Sequence, residues 1–252
     1  MTEDDRFLSR TGLSKTFYPI ARVLCVGGTI AGLATMTVAQ VSPSLRVTFE
    51  PPTDERLDDS AGGASRPVDR KCNADESTPV PMLTLMPEYM REGLTLTPHP
   101  TVFAYIPTTS ARRALFSLKD DTGKIVYQQT FTLTQTDGIA SITLPTDAPP
   151  LPLDRTYEWS LGMLCEPVQT DFPIAMGQIR RIAPTSPKLD DLPPLERAAS
   201  YGQSGFWYDT LAVLDEVRRS QPENEATAMV WTDFLDSVGL EEISSKPPLN
   251  LE

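Results

Sequence analysis

Arg155-Thr156-Tyr157-Glu158-Trp159-Ser160-Leu161-Gly162-Met163-Leu164-Cys165 decides the fold class. Tyr157, Trp159, Leu161, Met163 and Cys165 fall on one side of a two-residue period, the pattern of a strand with a single buried face. An inward Trp near an inward Cys is what a two-sheet sandwich places at its centre, and core packing alone accounts for the same pattern. Trp159 and Cys165 are therefore read as packing residues before any site chemistry.

Short apolar runs separated by turn signals lie on either side. Residues 101–106, 114–118, 125–133, 139–144, 157–165 and 174–182 each have strand length, with 82–85 as a further short strand. Ile125, Tyr127, Phe131 and Leu133 alternate with Val126, Gln128, Thr130 and Thr132, which predicts one wet face for that strand. Asp120-Asp121-Thr122-Gly123 and Asp137-Gly138 predict hairpin turns, the second with the stronger local signal. About seven strands at this spacing predict an immunoglobulin-like β-sandwich over residues 82–184.

After Pro184 the period changes from strand to helix. Asp190-Asp191-Leu192-Pro193-Pro194 is a helix entry, with acidic residues and proline suited to a first turn. A second helix follows Gly205, carrying Trp207, Leu211, Leu214 and Val217 at helical spacing and stopping before Pro222. A third buries Val230, Trp231, Phe234 and Leu235, with Gly239 as its C-cap. Tyr201, Gly205, Trp207 and Pro222 sit at offsets like those of a tetratricopeptide repeat, so residues 185–243 are read as a helical repeat-like domain docked on the sandwich or a partner. Residues 244–252, with Lys246-Pro247-Pro248, are expected to be a disordered tail.

The start of the chain sets its compartment. Basic residues up to Arg22 precede an uncharged run from Val23 to Ala39, so residues 1–39 read as a secretory signal cut after Ala39 or as an uncleaved signal anchor. Arg22 sits where a lipoprotein signal needs an apolar residue, which argues against a lipid on Cys25. Residues 40–81 are a Pro/Gly/Asp-rich arm in which 45–49 adds a short edge strand. The Ala61-Gly62-Gly63-Ala64-Ser65-Arg66 run lacks the strand, helix and lysine that a phosphate cradle requires. Export leaves Cys72 and Cys165 as an even pair, read as a disulfide rather than two free thiols. No Cys/His cluster calls for a metal, and no cofactor is expected. A formal charge of −12 gives solubility and disfavours nucleic acid or an anionic lipid surface as partner.

Several separated motifs occur in order: Ala61-Gly62-Gly63-Ala64-Ser65-Arg66, Cys72, Leu85-Met86-Pro87 and Pro100-Thr101-Val102-Phe103-Ala104-Tyr105-Ile106-Pro107. Tyr157-Glu158-Trp159-Ser160-Leu161 with Cys165 and Gly205-Phe206-Trp207-Tyr208-Asp209 before Leu211 complete the set. Together they resemble the cyanobacterial domain of unknown function 928 family of uncharacterised secreted proteins, over residues 49–240. The resemblance implies a periplasmic or secreted location and a paired role for Cys72 and Cys165. It implies no reaction.

The inventory for catalysis is thin. His99 is the one histidine and lies between prolines, as a turn residue would; Ser204 misses the spacing of a nucleophile elbow and reads as a cap before the next helix. The acidic pairs Asp154 with Glu158 and Asp190 with Asp191 could run glycoside hydrolysis, though such pairs in an acidic protein are ordinarily solvated. No catalytic residue is assigned, and a secreted hydrolase using an acidic pair is the alternative reading. The favoured expectation is a non-enzymatic interaction or envelope accessory module with a protein partner, touching the membrane only through its N-terminal segment if that stays uncleaved. Phe206, Trp207 and Tyr208 are its candidate contact residues, because three consecutive aromatics cannot all face inward on one helix, so that at least one is exposed or lies at the interface between the domains; the alternative has Phe206 and Trp207 in the core and Tyr208 half-buried against the sandwich.

Overall fold

A computed structural model of the protein describes residues 46–52, 71–73, 80–168, 170–184, 189 and 191–252. Residues 1–39, expected as a signal segment, the 61–66 run and Asp190 lie outside the described residues. In chain order come β1 (Leu83–Thr84), β2 (Glu92–Thr95), β3 (Thr101–Ile106), β4 (Arg113–Lys119), β5 (Ile125–Thr132), β6 (Gly138–Thr143), β7 (Thr156–Met163) and β8 (Ile174–Arg181). There follow α1 (Pro194–Gln203), α2 (Trp207–Ser220), α3 (Glu225–Asp236), α4 (Glu241–Ser244) and β9 (Pro248–Leu249).

The strands form two sheets in a sandwich-like arrangement. One has the order β1-β3-β6-β9 and the other β2-β8-β7-β4-β5. The opening stretch is the middle strand of the larger sheet, antiparallel to both β4 and β8, with Trp159 opposite Leu118 and Gly177. Its inward residues Tyr157, Trp159, Leu161, Met163 and Cys165 are all buried, as the two-residue period requires. Phe103, Tyr105 and Ile139 of the smaller sheet belong to the same core.

Beside the sheets, α2 is apolar or buried around most of its circumference, including the polar Thr210, Asp215 and Arg218. A helix of that kind lies between layers, and α2 packs on β2 of one sheet and β3 of the other, with α1 and α3 alongside. Its buried charges are matched: Asp215 accepts from Arg218 Nε at 2.8 Å and Arg219 Nε at 2.7 Å. Arg218 also stacks over Trp231 at 3.8 Å. Burial pulls the Arg218 guanidinium downward from its ordinary range, and Asp215 opposes that. The boundary at residue 184 separates strands from helices in sequence, yet both fall in one compact unit, Pro43–Glu252.

Three expectations are corrected. The tail beyond Ser244 is ordered: β9 pairs in parallel with β6, Ile139 N–H donates to the Pro247 carbonyl at 2.8 Å, and Leu249 is buried. Prolines suit an edge where no outward N–H is needed, and Arg219 Nη2 holds the Leu249 carbonyl at 3.0 Å. Asp137-Gly138 is not a hairpin turn, since β5 and β6 belong to different sheets. Asp137 has the positive φ such a turn needs (62°), but its carboxylate accepts from Tyr105 Oη at 2.7 Å and Lys246 Nζ at 2.6 Å, and the chain crosses between layers. The described part of the expected 45–49 edge strand, from Arg46 on, is irregular chain with no ladder partner. By contrast Asp120 caps a true hairpin between β4 and β5, accepting from Thr122 and Lys124 N–H at 3.0 Å.

Candidate functional site

Phe206, Trp207 and Tyr208 open α2 and are all inside: 5%, 0% and 1% exposed. None of the three is exposed, which corrects the expectation of a free contact surface, while Tyr208 takes the place between helix and sandwich. α2 is covered in three directions, and each ring takes one. Phe206 meets Tyr201 of α1 edge-on at 6.2 Å. Trp207 stacks with Phe234 of α3 at 5.6 Å and donates from Nε1 to the Leu85 carbonyl at 2.9 Å. Tyr208 reaches the larger sheet, accepting from Trp159 Nε1 at 2.8 Å and donating to the Gln178 carbonyl at 2.9 Å. Burial pushes its phenol well above the ordinary range.

The same turn of chain builds a seat for polypeptide. Residues 46–52 run across the α1–α2 junction, Val47 buried and Phe49 edge-on to Trp207 at 4.9 Å. Glu50 N–H donates to the Gly202 carbonyl at 3.0 Å. A Cβ at Gly202 would overlap the Thr48 carbonyl oxygen, and one at Gly205 would come within 2.9 Å of the Pro52 ring. Gly205 also holds φ +79°, a region closed to most side chains. Gly202 and Gly205 thus admit the arm's backbone at a junction where α1 and α2 also pack on each other. Ser204 is corrected as well: it is the C-cap of α1, its N–H bonded back to Ser200 and Tyr201 carbonyls at 3.1 Å, and Phe206 takes the N-cap place of α2.

Asp209, the last residue of the Gly205–Asp209 motif, lies in the first turn of α2. It accepts from Leu96 N–H at 3.0 Å, and burial pushes its carboxyl up to about 6 from 3.8, against the pull of the Leu96 and Thr95 bonds. The folded chain therefore keeps this proton to higher pH than the unfolded chain, and stability falls as pH rises from 3.8 to about 6. Asp209→Asn keeps an acceptor for Leu96 and loses the charge. Its stability relative to wild type should improve by about 1–2 kcal/mol between pH 4 and pH 7, the partial exposure of the residue trimming the full effect. Urea titrations across that range check this; a difference independent of pH would rule the assignment out.

A recess of about 450 Å³ lies between α2 and the β3–β6 face, lined by Thr101, Ser141, Thr143, Asp215, Glu216 and Arg219 among others. Arg219 donates to Asp215, Asn250, Ser141 and the Leu249 carbonyl, so its guanidinium ties α2 to β6 and β9. Of the groups considered for catalysis, Ser204 lies at the α1–α2 junction between Gly202 and Gly205, while His99, Asp154, Glu158 and Asp191 are not among the residues lining the recess. His99 Nε2 is at 3.2 Å from the Ala148 carbonyl. Glu158 is exposed on β7, 3.9 Å from Lys119; Asp154 and Asp191 are exposed. Cys72 and Cys165 form a buried disulfide with Cα atoms 5.0 Å apart, fixing the arm to the strand end after β7.

A two-sheet core with a helical cover whose central helix seats a segment of polypeptide defines a mixed β-plus-α protein. The chain belongs to the family described as Domain of Unknown Function (DUF928), whose model matches residues 61–248. No curated protein matches it. Among solved structures it is similar to the crystal structure of CopC from Methylosinus trichosporium OB3b, at 11% identity, covering 42% of this chain and 99% of that one. The TM-score is 0.28.

Proposed function

We propose that this protein is an exported, non-enzymatic interaction module of the cell envelope that works by holding polypeptide across the α1–α2 junction. The observation that carries the reading is the seat itself, already filled by residues 46–52 through an aromatic on Trp207 and a backbone bond to Gly202. Such a seat selects a path for the backbone and one ring at a set position. The partner is accordingly a peptide with a β-branched residue, an aromatic two places on and proline three places after that, as in Val47, Phe49 and Pro52. Export to the periplasm or beyond, with residues 23–39 as an inner-membrane anchor when uncleaved, is supported by the apolar N-terminal run and the disulfide. The same reading takes the sheets as immunoglobulin-like and α1–α2 as a tetratricopeptide-like hairpin, supported by Gly205 at their junction and Trp207 beside it.

A peptide of sequence 46–52 tests the seat. The chain's own tethered segment competes in wild type, so Phe49→Ala, which loosens that segment, should bind the peptide at least ~10-fold more tightly by calorimetry. Adding Gly202→Ala, whose methyl blocks the backbone path, should abolish the binding. No saturable binding to Phe49→Ala would remove this reading.

A further inference from the structure

We draw no further inference here: the strongest candidate, the recess between α2 and the β3–β6 face, has its polar lining already bonded within the chain, Thr101 to Thr143, Ser141 and Asp215 to Arg219, and Glu216 to Arg197, and nothing in the structure shows what would fill it.

Discussion

Trp207→Ala should lower the free energy of unfolding by about 3–5 kcal/mol, the range for emptying a large aromatic site in a core. The side chain is wholly buried and joins three parts of the chain: the arm through Phe49, α3 through Phe234 and the segment after β1 through the Leu85 carbonyl. Truncation leaves a cavity that none of the three can close alone, because each is fixed elsewhere. It also strips Leu85 of its side-chain donor, a loss that costs about 1–3 kcal/mol when the group stays buried and unpaired. Trp207→Phe separates the two effects. It keeps ring packing and loses the N–H, so its cost should be about 1–2 kcal/mol. Denaturant unfolding of the two variants gives both numbers. A cost under about 1 kcal/mol for the alanine variant would mean that the helical cover does not depend on this ring.

The legible part of the fold is the part written in local periodicity. Trp159, Leu161 and Met163 announced β7, and the change of period after Pro184 announced the helices. What escaped depends on long-range partners. β2 was not foreseen because Glu92-Gly93-Leu94-Thr95 carries a charge and a glycine in a buried strand. Glu92 is satisfied by Arg180 Nε and Thr156 Oγ1, each at 2.7 Å, and Gly93 leaves room for the Tyr208 ring. Neither fact is visible within ten residues of the strand. β9 escaped because Pro247 and Pro248 read as breakers, and its partners, β6 and the α2 arginines, lie far back in the chain. The site shows the same division. Phe206, Trp207 and Tyr208 were legible as a special cluster, yet their burial depends on α2 being enclosed by α1, α3 and both sheets. The role of Gly202 becomes visible only with the Thr48 carbonyl against it.

Reduction of Cys72–Cys165 should destabilise the protein by about 4–5 kcal/mol, since the bridge closes a long loop and removes that much chain entropy from the unfolded state. The separation of 93 residues places it near the upper end of that range. The loop it closes contains β1 to β7 entire, so the cross-link acts on the unfolded sandwich as a whole rather than on a local turn. A second consequence is local. Between the bridge at Cys72 and the Trp207 seat lie residues 53–70, so the disulfide is the covalent end of the arm whose other end is held by Phe49. Cys72→Ser with Cys165→Ser should therefore lower the denaturation midpoint and weaken the hold on residues 46–52 together, whereas Phe49→Ala should do the second alone. Protein taken from its host should have both thiols masked until reduction and a mass that begins at Gln40 if the signal is cut. Free thiols in that material would put the chain in a reducing compartment and withdraw the export reading. A midpoint unmoved by reduction would show instead that the two sheets hold the loop closed without the bridge.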